Sequence, residues 1–171
     1  MGGMGRDFDG GYAEYTSVPS SQIQVIKTNI PWELLGALPE MMQTAYGSLF
    51  KSLQLKKEDN LLIRGGTSSI GLAAAALAKG LVQSIGMTTR KKEREGMLKD
   101  AGADEVYIDE GNISEEVRRR KPEGYSKVLE LIGVTVLEDS LKCVKDNGIL
   151  CITGIVGGKV SGSALRLWWP I

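Results

Sequence analysis

The sequence contains no histidine, and this absence excludes several kinds of active site at once. Neither a histidine-containing metal site nor a Ser-His or Cys-His nucleophilic pair can be built from this chain. Cysteine is almost as scarce. The two residues, Cys143 and Cys151, fall in a predicted helix and a predicted buried strand, where cysteine usually acts as a small hydrophobic side chain. We therefore assign no metal ligand.

Net charge is absent as well, because 21 Lys and Arg balance 21 Asp and Glu. The chain thus has no overall field that would draw it to nucleic acid or to an anionic membrane, and we expect neither as a partner. The basic run from Arg118 to Lys121 is interpreted as a solvated helix face. No apolar run approaches the roughly 20 residues that span a bilayer, and the first residues lack the apolar core of a signal peptide. A cytoplasmic protein is expected.

From Asn60 onward, apolar runs of strand length alternate with segments of helical spacing. The predicted strands are 60–64, 83–88, 105–109, 126–132 and 148–153, and the predicted helices are 69–81, 91–101, 112–120 and 135–145. This alternation predicts the α/β class, a doubly wound parallel sheet (Rossmann) covered on both faces. Before it we predict strands at 11–19 and 22–26, and two helices that open at Pro31 and Pro39.

A glycine turn lies between the first predicted strand of this series and its helix. Gly66 and Gly71 occupy the first and third glycine places of the G-x-G-x-x-G dinucleotide pattern, and Ser68 occupies the second. Small residues there let the backbone approach an anion while the amides of a helix N-terminus point at it. We therefore predict that pyrophosphate contacts the backbone of Ser68, Ser69 and Ile70. The alternative is an ordinary turn that uses glycine for packing.

Six motifs occur in an order that is typical of one family. They are Gly10 to Tyr15, Ala37 to Glu40, Thr44 to Tyr46, Gly65 to Lys79, Gly102 to Asp104 and Gly148 to Gly158. Together they resemble the medium-chain dehydrogenases/reductases, most closely the quinone-oxidoreductase-like and zinc-type alcohol dehydrogenase branches. The resemblance covers about residues 10 to 158. It implies hydride transfer between a nicotinamide cofactor and a carbonyl, quinone or enone held in a cleft between two domains.

The resemblance also implies how the chain is divided. Family members carry a catalytic domain before the Gly-Tyr-Ala-Glu motif and a sixth strand after the fifth. We therefore expect residues 1–35 to be a partly disordered remnant of the catalytic domain edge, with a short β segment. Residues 36–158 are expected to be an NADP-binding Rossmann domain and 159–171 a truncated C-terminal segment. Such a fragment is expected to turn over little or nothing and to self-associate through the exposed edge of its fifth strand.

The end of the second predicted strand bears on the choice of cofactor. NAD-selective folds place an acid about 20 residues past the glycine turn, whereas here Thr88, Thr89, Arg90 and Lys91 follow one another. No acid would repel a 2′-phosphate, Arg90 can hold one in its planar fork, and Lys91 adds charge. We therefore predict NADP(H) rather than NAD(H). The alternative is that the two cations only open a surface helix.

The family resemblance further implies residues on the nicotinamide side. These are a helix threonine and loop residues after the fourth and fifth strands: Thr44, Ile132, Gly133, Gly154 and Ile155. Leu131 matches the same loops, although a place in the core suits it equally well. Glu40 falls where zinc-type members place a zinc ligand and where zinc-independent members also often have glutamate, so zinc stays undecided for the parent enzyme.

Two functions of other classes stay open beside the oxidoreductase, whose partners would be a nicotinamide nucleotide and a small-molecule substrate. One is a non-catalytic nucleotide-binding or sensing module on the same sheet. The other is an S-adenosylmethionine-dependent methyltransferase, which also uses a glycine turn. That fold usually needs an acid at the end of strand two, and Thr88 argues against it.

Overall fold

A computed structural model describes residues 4, 5, 7–154, 157 and 158 of the chain. The chain divides into two compact units, Met1–Leu35 and Gly36–Ile171. Each unit is described by itself below. No described helix has the length and apolar character needed to cross a membrane.

The first unit contains little regular structure. Its described residues hold one 3-10 turn, Ser20–Gln22, and one short helix, α1 (Trp32–Leu35). The strands predicted at 11–19 and 22–26 are not formed, and this part of the prediction is wrong. Apolar and polar residues alternate in these two segments, yet the side chains of Tyr12, Tyr15 and Val25 are exposed. An alternating segment forms a stable strand only where it pairs with a neighbouring strand and packs its apolar side on a core. Two isolated strands have neither.

The second unit begins with a long helical segment. Helix α2 (Leu38–Tyr46) has a proline in its first turn, as the sequence predicts, and it runs directly into π-helical turns at Gly47–Ser52. Ala45 and Leu49 are fully buried on one side of this segment. That side packs against the helix that follows the first strand.

Five parallel strands form the sheet of the second unit. They are β1 (Asn60–Arg64), β2 (Ser84–Thr89), β3 (Glu105–Ile108), β4 (Tyr125–Glu130) and β5 (Val144–Ile152), in the spatial order β3-β2-β1-β4-β5. The connecting helices are α3 (Ser69–Ala78), α4 (Glu95–Ala101), α5 (Ser114–Arg120) and α6 (Leu137–Lys142). Short 3-10 turns, Lys92–Arg94 and Val134–Val136, precede α4 and α6. The predicted doubly wound class is confirmed.

Alternate residues of each strand enter two separate cores. Leu61 and Ile63 of β1 pack with α2 and α3 on one face, where Ala74 and Ala78 let the helix approach closely. Leu62 points to the other face and packs there with Val117 of α5. The sheet is therefore buried on both sides, which explains why its strands read as continuous apolar runs.

One boundary differs clearly from the prediction. Helix α6 ends at Lys142 and β5 begins at Val144, whereas the sequence predicts helix to 145 and strand only from 148. The amide of Tyr125 donates to the carbonyl of Cys143 (2.8 Å), so pairing with β4 captures the backbone immediately after the helix. The register then shifts between Tyr125 and Lys127, near Asn147, which has a positive φ of 59°. A tertiary contact thus overrides the local helical pattern.

Candidate functional site

The carboxyl ends of the parallel strands meet at one edge of the sheet, and a cleft of about 380 Å³ opens there. It is lined by residues at or just after the ends of successive strands: Gly65, Thr67, Ser68, Thr88, Thr89, Arg90, Asp109, Leu131, Ile132 and Gly157. Because β1 has β2 on one side and β4 on the other, the cleft lies where the chain reverses its direction of winding. Ligands of open α/β sheets bind at this kind of position.

The glycine turn forms the centre of the cleft and is fixed by Thr88. The Gly65 amide donates to Thr88 Oγ1 (2.9 Å) and the Gly66 amide donates to the Thr88 carbonyl (3.1 Å). A β-carbon at Gly66 would lie 3.0 Å from that carbonyl, and one at Gly71 would lie 2.7 Å from the Gly65 carbonyl oxygen. The first and third glycines therefore let the turn and helix α3 pack closely together and against β2.

Ser68 is the N-cap of α3. Its hydroxyl accepts from the Gly71 amide (3.0 Å) and donates to the Gly65 carbonyl (2.8 Å), while its own amide donates to the same carbonyl (3.1 Å). The amides of Ser69 and Ile70 have no acceptor among the described residues. Two amides of the first helical turn are thus available to an anion. The Ser68 amide, which the sequence also predicts to bind pyrophosphate, already donates to the Gly65 carbonyl.

The end of β2 separates the four residues predicted to select the cofactor. Thr88 and Thr89 are buried, and the Thr89 hydroxyl accepts from the Lys91 amide (3.1 Å). Arg90 is exposed and lines the cleft, and its side chain has no ion pair or hydrogen bond with any described residue. Lys91 does not line the cleft, and its ammonium lies 3.9 Å from Glu93. Of the two cations, Arg90 is therefore the one placed to meet a ligand.

The opposite wall follows β4 and is held by a buried carboxylate. Oε1 of Glu130 accepts hydrogen bonds from the amides of Ile132 and Gly133, and Gly133 has a positive φ of 127°. A β-carbon at Gly154 would lie 2.0 Å from the Leu131 carbonyl carbon. The residue at this position, just after β5, must therefore be glycine. Gly133 and Gly154 thus shape the wall without lining the cleft. Ile155, predicted to line the nicotinamide, lies outside the described residues.

A buried polar cluster reaches the cleft at Asp109, and sequence reasoning missed it. Arg64, the last residue of β1, is fully buried and donates to Asp109 through both Nε (2.8 Å) and Nη2 (2.9 Å). Its Nη1 donates to Asp139 (2.7 Å) and to the Ser140 hydroxyl (2.9 Å). The only sequence signal is a charged residue that ends an apolar strand, because the partners lie 45 and 75 residues away along the chain.

The charges of this cluster stabilise one another. Burial alone would lower the pKa of Arg64, but hydrogen bonds and charge from Asp109 and Asp139 outweigh it and raise the pKa. Burial alone would likewise raise the pKa of Asp139, yet hydrogen bonds from Ser114 and the Ile113 amide, together with Arg64, lower it. Both groups are therefore charged at neutral pH.

Thr44 lies away from the cleft lining, on α2. Its hydroxyl donates to Glu40 Oε1 (3.1 Å), and Glu40 is exposed. In the π-helical turns that continue α2, the Ser48 hydroxyl lies 2.9 Å from that of Thr153, just after β5. Thr44 therefore lies about one turn before a segment that contacts the residue just after β5.

No group of three or more His, Cys, Asp or Glu side chains in the described part of the chain is arranged to hold a metal ion. Glu40 therefore belongs to no such group there. The described residues thus do not fit a zinc ion.

The sheet order, the glycine turn at the switch point and the two available amides of α3 define a nucleotide-binding domain of the Rossmann class. A family model described as zinc-binding dehydrogenase matches residues 69–168, more than half of the chain. The chain belongs to this family, within the medium-chain dehydrogenases/reductases, and the resemblance noted in the sequence is confirmed.

Individual relatives agree with this assignment. The quinone oxidoreductase-like protein 2 homolog of Nematostella vectensis is 25% identical over 174 residues, which cover 94% of this chain and 47% of that protein. A mycobacterial protein solved as a complex with NADPH is 27% identical (TM-score 0.71), covering 84% of this chain and 45% of the other. An NAD-dependent alcohol dehydrogenase is 25% identical (TM-score 0.75), with coverage of 90% and 46%. The chain spans about half the length of the curated relatives it matches.

Proposed function

We propose that this chain is the cofactor-binding domain of an NADP(H)-dependent oxidoreductase that transfers hydride between nicotinamide and a carbonyl, quinone or enone. The observation that carries the proposal is the pairing of two available α3 amides, which directly follow the cleft residue Ser68, with an unpaired arginine that lines the same cleft. The amides suit the pyrophosphate of a dinucleotide, and the guanidinium suits a 2′-phosphate. A relative that binds NADPH supports the same conclusion.

Each part of the cleft then has a role toward the nucleotide. The amides of Ser69 and Ile70 receive the pyrophosphate, while Gly66 and Gly71 keep the turn close to the sheet. Arg90 holds the 2′-phosphate at the end of β2, and the segment of Ile132 and Gly133 forms the wall on the nicotinamide side. When bound, the nucleotide supplies the hydride. The residues of this chain bind and orient it, in keeping with the usual division of labour between protein and cofactor.

Selectivity for NADP(H) is the finer part of the proposal, since one relative is an NAD-dependent enzyme. An NAD-type site uses an acid at the end of β2 to bind the ribose hydroxyls. Thr88 occupies that region here, and its hydroxyl is already an acceptor for Gly65. Arg90 is thus the side chain at the end of β2 that can interact directly with the 2′ substituent.

Calorimetric titration of the chain with NADPH and NADH tests this function. We expect NADPH to bind more tightly, and Arg90→Ala to remove roughly 1–3 kcal/mol of NADPH binding, the cost of a lost charge-assisted hydrogen bond, while NADH changes little. Lys91→Ala is the matched control, because Lys91 is one residue away and pairs with Glu93 outside the cleft lining. Equal losses in both variants, or binding of neither nucleotide to the unaltered chain, would contradict the proposal.

We also propose that copies of this chain associate along β5 and that the chain by itself turns over little substrate. Among the described residues β5 pairs with β4 alone, so the backbone groups of its other edge are open to a further strand. Light scattering is expected to give a mass above that of one chain. Ile152→Lys, which puts charge at an exposed apolar position of β5, is expected to lower that mass. A single-chain mass for the unaltered protein at high concentration would refute this association.

A further inference from the structure

A continuous series of hydrogen-bonded side chains connects one wall of the cleft to the other. Arg64 holds both oxygens of Asp109 and also donates to the Ser140 hydroxyl (2.9 Å). Ser140 in turn donates to Oε2 of Glu130, whose other oxygen accepts from the amides that follow β4. Each side chain in the series is buried, with Arg64, Ser140 and Glu130 fully inaccessible.

The two ends of this series belong to different walls of the cleft. Asp109 follows β3, and its amide donates to the Thr89 carbonyl (2.8 Å), so it lies beside the residue that precedes Arg90. Ile132 follows β4 and forms the wall on the other side of β1. Arg64 ends β1 between them. Its guanidinium is planar and rigid, so its bonds to the two sides fix their separation.

The contacts go beyond what packing of the strands would require. Nη2 of Arg64 also donates to the carbonyl of Gly111 (3.0 Å), and the Gly111 amide donates back to Asp109 (3.0 Å). Both ends of the series therefore terminate on backbone groups of loops at the cleft, Gly111 after β3 and Gly133 after β4. A shift of the carboxylate at either end would move the backbone it holds.

We propose that Ser140 and Arg64 are positioning residues that set the nicotinamide-side loop, residues 131–133, relative to the adenosine-side wall at Asp109. Breaking the series at Ser140 frees the carboxylate of Glu130 from Arg64, while the bidentate contact between Arg64 and Asp109 stays intact. The adenosine side is thereby left as it is, and only the loop after β4 is loosened. This inference rests on the proposed nucleotide site for its consequence in binding, although the series itself can be tested without nucleotide.

The test compares Ser140→Ala with Tyr125→Phe. Tyr125 is fully buried, and its hydroxyl lies 3.0 Å from that of Tyr107, away from the residues that line the cleft. Both variants therefore remove one buried hydroxyl. The first measurement is amide hydrogen exchange by NMR on the nucleotide-free chain. We expect the amides of Ile132 and Gly133 to exchange about tenfold faster in Ser140→Ala and to be unchanged relative to the rest of the chain in Tyr125→Phe.

The second measurement uses NADPH and 2′,5′-ADP, the adenosine half of NADPH with its 2′-phosphate. In Ser140→Ala we expect NADPH to bind about tenfold more weakly while 2′,5′-ADP binds as before, since only the nicotinamide side is disturbed. A merely structural role for Ser140 would weaken both ligands alike. Ser140→Cys, which keeps the volume but weakens the hydrogen bonds, is expected to give the same pattern and replaces Ser140→Ala if that variant does not fold.

The outcomes separate the two proposals. Unchanged exchange at Ile132 and Gly133, or equal weakening of both ligands, overturns the positioning role. If neither ligand binds the unaltered chain, the proposed function fails, and the exchange measurement alone then decides whether Ser140 positions the loop.

Discussion

Arg64 and Asp109 form a buried bidentate ion pair between the ends of two strands that are not neighbours in the sheet. Nε contacts Oδ2 at 2.8 Å and Nη2 contacts Oδ1 at 2.9 Å, with 0% and 2% of the two side chains exposed. Asp139 adds a second carboxylate at 2.7 Å from Nη1. The guanidinium therefore compensates two buried carboxylates, and its removal would leave both without a cation.

The first prediction concerns the stability of this pair. Arg64→Met is expected to lower the free energy of unfolding by about 3–5 kcal/mol, because it leaves buried carboxylates without a cation. Lys91→Met is the matched control, since the Lys91–Glu93 pair is largely exposed and such pairs contribute at most about 1 kcal/mol. Urea denaturation measures both variants. A loss for Arg64→Met no larger than that for Lys91→Met would show that the buried pair contributes no stability.

The second prediction is a pH dependence carried by Asp139. Its pKa in the folded chain is lowered, because hydrogen bonds from Ser114 and the Ile113 amide, with the charge of Arg64, outweigh the effect of burial. A depressed pKa stabilises the fold above the unfolded value of about 4, and this contribution is lost as the pH falls through the folded pKa. Asp139→Asn is therefore expected to be less stable than the unaltered chain at pH 7.

The measurement is urea denaturation of both proteins over a series of buffers from about pH 7 to about pH 3. The difference in unfolding free energy between them should be constant above about pH 5 and shrink below about pH 4. The other carboxylates titrate in both proteins, so they cancel in the difference to first order. A difference that grows as the pH falls would contradict the lowered pKa of Asp139.

The third prediction compares two helical glycines. A β-carbon at Gly71 would lie 2.7 Å from the Gly65 carbonyl oxygen and 2.8 Å from that of Gly66, and these backbone atoms cannot move without opening the turn. Gly71→Ala is expected to cost about 1–3 kcal/mol of stability and to weaken NADPH binding. Gly96 in α4 has nothing within 4 Å of such a carbon, so Gly96→Ala should stabilise by about 0.5–1 kcal/mol. Thermal unfolding measures both variants. Equal shifts of the midpoint temperature in the two variants would refute the close approach at Gly71.

Most of the sheet could be predicted from sequence because both of its faces are buried. The predicted and observed bounds of β1 agree, and those of β2 and β3 differ by one residue at most. Prediction from hydrophobic periodicity is wrong where no neighbouring element packs on the segment, as at Tyr12 and Tyr15, whose side chains are exposed. It also failed at the junction of α6 and β5, where a hydrogen bond from Tyr125 starts the strand early.

The candidate site divides in the same way between local and distant contacts. The glycine turn and Arg90 are encoded within one strand–turn–helix segment, so motif spacing finds them. The sequence predicts a role for the Ser68 amide, whereas the role of Ser68 as the cap of α3 depends on geometry within a single turn. Arg64 could not be found from spacing, because its partners on β3 and α6 come together only when the sheet is assembled.

The last prediction tests how Thr88 shapes the phosphate turn. Thr88→Val keeps the buried shape but removes the oxygen that accepts from the Gly65 amide at 2.9 Å. Leaving that amide without its acceptor should cost about 1–3 kcal/mol of stability and free the turn to move away from β2. Thr88→Ser retains the hydroxyl and is the matched control, since it loses only a methyl group.

Denaturant unfolding and NADPH titration of these two variants give separate readings of packing and of the turn. If the hydroxyl fixes the turn, Thr88→Val binds NADPH more weakly than Thr88→Ser, because the available amides of Ser69 and Ile70 are no longer held in place for the pyrophosphate. Equal affinities would mean that the Gly66 amide, which donates to the Thr88 carbonyl in either variant, holds the turn by itself.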